Sequence, residues 1–257
     1  MSSPVFSLAN KVAIVTGGKR GIGKAIALAF AEAGADVAIC DRVIEDGELE
    51  ATAEEIQKLG QRSLAIQADV SRKTEVDNLV QKVMHEFGTV DILVNNAGIM
   101  IRALLLDMPE DDWEKVINVH LKGCYLCCQA VGRIMTKQGR GSIINIGSIA
   151  AIKANIARGA YGAAKAGILM LTRVLALEVG SYNVRVNAIA PGFIKTELNR
   201  SIWDDPEALK QFLTGRPIAL GRAGDTSEIT GAAIFLASDA SSYMTGQTIV
   251  IDGGVSC

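Results

Sequence analysis

Tyr161 and Lys165 stand four residues apart, and Ser148 precedes Tyr161 by thirteen. A phenol, an amine one helical turn further on the same face and a nearby hydroxyl can exchange a proton with an alcohol or a carbonyl. Reducing a ketone by hydride transfer leaves an alkoxide that needs a proton, and oxidising an alcohol needs a base. A tyrosine whose pKa approaches neutrality serves both directions. An unperturbed phenol titrates near ~10, and lowering it by ~2–3 units takes roughly 3–4 kcal/mol. One ammonium about 4 Å away, at an effective dielectric near 20, supplies about 4 kcal/mol. Lys165 is therefore expected to depress the phenol of Tyr161. Ser148, just past an apolar run, is expected to polarise a carbonyl beside it; a helix cap is the plainer use of the same hydroxyl.

Such chemistry needs a hydride carrier, and the chain opens with a loop suited to one. Thr16-Gly17-Gly18-Lys19-Arg20-Gly21-Ile22-Gly23 lies between the run Lys11–Thr16 and the helical pattern Ile22–Ala33. Gly17 permits a tight turn, Gly21 a close approach of backbone to a pyrophosphate, and Gly23 close packing of helix on sheet. The helix N-terminus would then offer free N–H groups and partial positive charge to an anion. Asp41 follows Gly23 by eighteen residues. A carboxylate there accepts hydrogen bonds from ribose hydroxyls and repels a 2′-phosphate, which favours NAD. Lys19, Arg20 and Arg42 could pair with that phosphate, so NADP stays possible.

The elements that position these groups alternate regularly. Apolar runs at Lys11–Thr16, Asp36–Cys40, Ser63–Gln67, Asp91–Val94, Ser142–Ile146, Val184–Ile189 and Thr248–Ile251 read as seven strands. Helical patterns separate them at Ile22–Ala33, Glu48–Leu59, Lys73–Phe87, Pro109–Met135 (as two helices), Tyr161–Val179 and Thr226–Ala237. Strands apolar on both faces and separated by helices imply a parallel sheet covered on both sides. The expectation is α/β: a Rossmann-type, doubly wound, seven-stranded sheet in three α/β/α layers, one domain over residues 1–257. Asp69-Val70 and Asn95-Asn96-Ala97-Gly98 then fall at carboxyl ends of strands, the edge where such sheets bind ligands. The stretch Pro191–Pro217 is long for a connection and suggests a lid or binding segment. Its apolar residues Ile194, Leu198, Ile202, Trp203 and Phe212 could face a substrate or simply pack on the body.

Composition narrows the function further. Apolar residues make up 49% of the 257, enough for a large core. The net charge of −2 is spread without a basic stripe, which argues against nucleic acid. No run of about 18 apolar residues suggests a membrane span, and the N-terminus does not read as a secretory signal. Five cysteines, an odd number in a chain of this size, suit a reducing cytosol. Cys124, Cys127 and Cys128 share one helix face and read as small core residues. His85 and His120 lie far apart, without metal-ligand spacing, and receive no chemistry; no metal is expected.

Taken together, TGGKRGIG, Asp69-Val70, NNAG, Asn118 in NVHLKG, Ser148, YGAAK from Tyr161 to Lys165 and Pro191-Gly192 resemble the short-chain dehydrogenase/reductase family, from Lys11 to Gly254. The resemblance implies an NAD(P)-dependent oxidoreductase of secondary alcohols and ketones, with Asn118, Ser148, Tyr161 and Lys165 as its catalytic set. It implies that the Asn118 backbone holds a water in a proton relay and that Lys165 grips the nicotinamide ribose. Pro191, Gly192, Ile194 and Thr196 would reach the nicotinamide carboxamide, and Asn96, Ala97 and Gly98 would border the cofactor. It also implies a homotetramer paired through the two long helices around residues 109–135 and 161–179. The same motifs describe a 3-oxoacyl-carrier-protein reductase. Leu177 stands where those enzymes often carry arginine, whereas Arg133 occupies a second commonly basic place. Arg102, Lys153, Arg158 and Lys195 could border the mouth and attract an anionic or carrier-bound substrate. A non-catalytic nucleotide-binding protein would need the loop but not the four catalytic residues.

Overall fold

Seven short apolar runs become the strands of one parallel sheet, in the order β3-β2-β1-β4-β5-β6-β7. The computed structural model describes residues 4–215 and 218–257, and among these the side chains of residue 4 and of 211–213 are left undescribed. The strands are β1 (Val12–Thr16), β2 (Asp36–Asp41), β3 (Ser63–Gln67), β4 (Ile92–Asn95), β5 (Gly141–Ile146), β6 (Val184–Pro191) and β7 (Thr248–Ile251). Parallel strands need crossovers, and helices supply them: α1 (Gly21–Glu32), α2 (Glu48–Lys58), α3 (Lys73–Phe87), α4 (Glu110–Ile117), α5 (Gly123–Gln138), α6 (Gly159–Val179) and α9 (Ser227–Ala237). Strands β1 and β4 are buried throughout, because each lies under helices on both faces.

Two cores sit on the two faces of the sheet. On one, Val76 and Leu79 of α3, Cys127 and Val131 of α5 and Ile168 of α6 pack against Ile14, Leu93 and Ile143. On the other, Ile26 and Phe30 of α1, Ile56 of α2 and Ile229 and Leu236 of α9 pack against Val15, Ile39 and Ile144. The three cysteines of α5 belong to the first core, and all five cysteines are free thiols. Burial pushes the thiols of Cys127 and Cys128 well above their ordinary value; for Cys128 the largest cause is its hydrogen bond with Cys124.

The chain leaves β1 and pairs next with β4 on its other side. Strand order reverses there, and a crevice opens at the carboxyl ends of β1 and β4. Thr16 ties the two ends together. Its hydroxyl donates to Val94 O (3.3 Å) and accepts from the N–H of Asn96 (3.0 Å) and of Ala97 (3.1 Å).

Two features add detail to the sequence expectation. The two helices of the 109–135 region meet at a π turn, Asn118–Lys122. The Gly123 N–H reaches back five residues to Asn118 O there, and a Cβ on Gly123 would stand 2.8 Å from Val70 Cγ2. The 191–217 stretch also holds two short helices, α7 (Arg200–Trp203) and α8 (Pro206–Thr214). Asp205 begins the second, its Oδ1 accepting from the N–H of Glu207 (2.9 Å) and Ala208 (3.3 Å). An acceptor followed by proline is a helix-start signal that was present in the sequence.

Candidate active site

A cavity of about 930 Å³ runs along the carboxyl edge of the sheet. At one end lies the glycine-rich loop, at the other the segment after β6. Gly17, Lys19, Arg20, Gly21, Ile22, Asp41, Arg42, Asp69, Val70, Asn96, Ala97, Gly98, Asn118, Ser148, Tyr161, Lys165, Pro191, Gly192, Ile194 and Thr196 all line it. Gly23 does not. A Cβ at Gly23 would lie 2.1 Å from Gly17 O and 2.4 Å from Asn96 Nδ2. The residue is glycine so that the loop can fold onto the helix start, not to let helix meet sheet.

The loop fits an anionic dinucleotide on its own geometry. Gly17 holds φ +64°, and a Cβ there would meet Ala97 Cα at 2.9 Å. Asn96 Nδ2 donates to Thr16 O and Gly17 O, both at 3.0 Å, which braces the turn. No side chain caps α1, so its first N–H groups are open to an anion in the cavity. A Cβ at Gly21 would find only Thr196 nearby, at 3.5 Å or more. Asp41 is half-buried at the end of β2 and accepts from the Val43 N–H at 3.3 Å. Lys19 differs from expectation. Its buried amine is bonded to Asp46 at 2.5 Å and lies 3.8 Å from Glu48, and it also donates to Val43 O at 3.4 Å. That charge is neutralised within the protein. Arg20 and Arg42 remain exposed at the rim.

Ser148, Tyr161 and Lys165 meet beside the crevice. Ser148 follows β5 in extended conformation and begins a short 3-10 turn, its Oγ accepting from the Ala150 N–H at 3.1 Å. The plainer use, as a cap, is therefore present, and the same side chain is hydrogen-bonded with the Tyr161 phenol. Tyr161 is half-buried on the first turn of α6. Burial raises its pKa above the ordinary value, and the Ser148 hydrogen bond and the charge of Arg158 oppose that rise.

Lys165 corrects the expectation drawn from spacing. Its amine is fully buried and donates to Ile146 O at 2.6 Å, 5.6 Å from the centre of the Tyr161 ring. Burial lowers its own pKa to about 8, partly opposed by Cys124. The amine is turned toward the sheet rather than the phenol oxygen, so the phenol keeps its proton in this state and is set as a donor.

His120 was missed. It follows Asn118 by two residues in the π turn, is 3% exposed, and lines the same cavity. Its ring meets Tyr161 edge-on, centres 5.2 Å apart. Nε2 lies 2.7 Å from Ile99 O and 3.1 Å from Ile99 N. Gly98 makes room, since a Cβ there would lie 2.4 Å from His120 Cε1. Burial first, and the charge of Lys165 second, lower its pKa to about 3, so the ring is neutral. The pairing of Gly98 with His120, two residues after Asn118, was the signal available, but only the fold brings them together.

The mouth carries Arg102, Lys153 and Arg158. Lys153 donates to Val255 O at 2.8 Å, tying the 148–158 segment to the C-terminal segment. Lys195 does not line the cavity; it pairs with Asp225 at 3.5 Å. Of the apolar lid residues, Ile194 and Leu198 face the cavity and Ile202 and Trp203 do not. Trp203 folds back, its indole donating to Thr196 O at 3.1 Å and Asn199 Oδ1 at 2.8 Å. The Phe212 side chain and Pro217 lie outside the described residues. Among the described residues no group of His, Cys, Asp or Glu is arranged to hold a metal, and no helix is long and apolar enough to cross a membrane.

A family model described as enoyl-(acyl carrier protein) reductase matches residues 17–256. A 3-oxoacyl-[acyl-carrier-protein] reductase of Chlamydia trachomatis is 48% identical over 96% of this chain and 98% of its own. The chain belongs to the short-chain dehydrogenase/reductase family. Among solved members, a short-chain type dehydrogenase/reductase from Mycobacterium marinum is 39% identical with a TM-score of 0.91, covering 98% of each chain. A gluconate 5-dehydrogenase from Burkholderia cenocepacia, solved with NADP and tartrate, is 37% identical with a TM-score of 0.91, covering 98% of this chain and 97% of its own. The chain is accordingly an oxidoreductase acting on CH–OH or C=O groups.

Proposed function

We propose that this reductase/dehydrogenase exchanges a proton with a secondary alcohol or ketone through Tyr161, beside a bound NAD. The observation that carries the reading is the convergence of Asn118, Ser148, Tyr161 and Lys165 on one cavity with the glycine-rich loop. When bound, the nicotinamide gives or takes the hydride. In reduction the Tyr161 hydroxyl donates its proton to the developing alkoxide, and in oxidation the phenolate receives one. Ser148 turns its hydroxyl to the substrate oxygen and holds it in reach of Tyr161. Lys165 holds the ribose side of the cofactor site and its ammonium favours the phenolate once formed. Asn118, at the π turn, holds the relay water through its backbone.

Gly17, Arg20, Gly21 and Ile22 cradle the pyrophosphate, and Asp41 takes the adenosine ribose hydroxyls. Asp69 and Val70 border the adenine, and Asn96, Ala97 and Gly98 the nicotinamide half. Pro191, Gly192, Ile194 and Thr196 approach the carboxamide. NAD is favoured because Asp41 faces the ribose site while the Lys19 amine is already held by Asp46. Arg102, Lys153 and Arg158 give the mouth a cationic edge suited to an anionic substrate. The segment after β6 that carries α7 and α8 closes over it. We place the enzyme in a reducing cytosol as a homotetramer, with exposed apolar residues such as Tyr125, Met170 and Val174 of α5 and α6 covered by another subunit.

A second reading is supported by the carrier-protein reductases at 42–48% identity. Their names give an acyl-carrier-protein substrate; at the commonly basic place on α6 this chain has Leu177, 86% exposed, while Arg133 on α5 and Arg173 on α6 are exposed bases nearby. Turnover of an acetoacetyl thioester against secondary alcohols and hydroxy acids, each with NADH/NAD and NADPH/NADP, separates the two readings. Tyr161→Phe should lower turnover by about 10²–10⁴-fold with cofactor affinity nearly unchanged. A variant of full activity would remove the phenol from the reaction.

A further inference from the structure

Of the two basic residues in the glycine-rich loop, Arg20 is exposed and Lys19 is buried, at 5% exposure. The Lys19 amine donates to Asp46 Oδ2 (2.5 Å) and to Val43 O (3.4 Å), and Glu48 Oε2 stands 3.8 Å from it. A buried ammonium without a counter-charge is costly, so Asp46 meets a need that the fold itself creates. Asp46 is fixed for that task. Its other oxygen, Oδ1, accepts from the Glu48 N–H (3.1 Å) at the start of α2. The Lys19 hydrogen bond is the largest cause holding the Asp46 carboxyl below its ordinary value. The Lys19 carbonyl accepts from the Thr52 hydroxyl of α2 (3.1 Å), so backbone and side chain of Lys19 are both tied to this region.

The clasp lies beside the place assigned to the adenosine ribose. Lys19, Asp41, Arg42 and Val43 all line the cavity, and Asp46 does not. Val43 links the two charges: its N–H donates to Asp41 Oδ1 (3.3 Å) and its carbonyl accepts from the Lys19 amine. A single residue lies between them, so amine and carboxylate are within about 11 Å of each other. A phosphate on the ribose hydroxyl that Asp41 accepts would stand close to that interval. An amine already paired gains only the difference between two charge-assisted bonds by turning to a phosphate. An amine stripped of its carboxylates gains the whole.

We propose that Asp46 is a specificity-determining residue for the cofactor: backed by Glu48, it holds the Lys19 amine away from a phosphate on the adenosine ribose, so that Lys19 is a phosphate-binding group kept out of use. Asp46 acts through Lys19 and is a positioning residue. The two acids then have separate parts. Asp41 opposes the phosphate directly, and Asp46 withholds the cation that would offset it. The proposal rests on the reading that Asp41 faces that ribose.

Taking the charge out of the clasp tests the idea. Asp46→Asn keeps an oxygen for the Glu48 N–H, and Glu48→Gln removes the second carboxylate. Calorimetry at one ionic strength gives the dissociation constants of NADH, NADPH, adenosine 5′-monophosphate and adenosine 2′,5′-bisphosphate. The proteins are the wild type, D46N, D46N/E48Q and D46N/E48Q with Lys19→Met added. In D46N/E48Q the two 2′-phosphorylated ligands should bind about tenfold more tightly, with the other two within about twofold. D46N alone should show a smaller gain of the same sign, because Glu48 stays near the amine. Adding Lys19→Met should remove the gain. Unchanged binding of the 2′-phosphorylated ligands in D46N/E48Q overturns the proposal. So does a gain that survives Lys19→Met, since a less negative loop rather than the freed amine would then attract the phosphate. Equal weakening of all four ligands overturns it too, because a clasp that only braced the loop would behave that way. A wild type that binds NADPH more tightly than NADH would refute the NAD preference, while the change from wild type to D46N/E48Q still decides the part played by Asp46.

Discussion

Acid should destabilise this protein measurably at one residue. The His120 ring is buried neutral, and its pKa drops from 6.5 to about 3 in the fold. The folded value lies below the unfolded one, so the unfolded chain binds the extra proton first. Stability from this residue is complete above about pH 6.5 and is lost progressively as pH falls toward 3. At pH 4.5 the protein is two units into that window, and at 1.36 kcal/mol per unit the loss from His120 alone is about 2.7 kcal/mol. Carboxylates such as Glu228, held down to about 2 by Arg222, titrate in the same range, so the wild type alone cannot isolate the effect. His120→Gln can. Urea unfolding followed by circular dichroism, at pH 7 and pH 4.5 and one protein concentration, gives each protein's loss. The wild type should lose about 2–3 kcal/mol more than the variant over that interval. Equal losses would show that the imidazole is protonated in the native state and that its burial was wrongly weighed.

Other outcomes follow from the same geometry. Gly23→Ala puts a Cβ 2.1 Å from Gly17 O, so the loop must shift; dinucleotide affinity by calorimetry should fall about 100-fold, with the fold destabilised by about 1–3 kcal/mol. Asp41→Ser removes the carboxylate that a 2′-phosphate would meet, and the ratio of NADPH to NADH affinity should rise about tenfold or more; an unchanged ratio would mean Asp41 does not face that ribose. A thiol reagent should modify one residue per native chain, Cys257, since Cys40, Cys124, Cys127 and Cys128 are buried and burial pushes Cys40 up to about 12. Mass spectrometry before and after denaturation counts the labels.

Much of the architecture was legible in order along the chain. Strands buried on both faces are unbroken apolar runs, and helices that cover them carry their own period and glycine stops, as at Gly88 after α3. The glycine loop was legible because the spacing of its glycines is a steric requirement local to the turn. Tyr161 and Lys165 were legible because four residues on a helix share a face whatever surrounds them.

What spacing could not say is where each charge ends. Lys19 was expected as a possible partner for a 2′-phosphate and is instead held by Asp46, twenty-seven residues away; the loop after β2 decides that. Lys165 was placed beside the phenol oxygen, yet its amine is drawn to a β5 carbonyl, a partner set by how α6 lies on the sheet. His120 looked inert because it lies far from His85 and has no metal-ligand spacing. The π turn and Gly98 bring it against Tyr161, and burial then decides its protonation. The sequence by itself determined the sheet, the loop and the pairing of phenol with amine, since these rest on short-range geometry and period. Only the tertiary structure decided partners and protonation, because desolvation and hydrogen bonding depend on atoms that distant segments bring together.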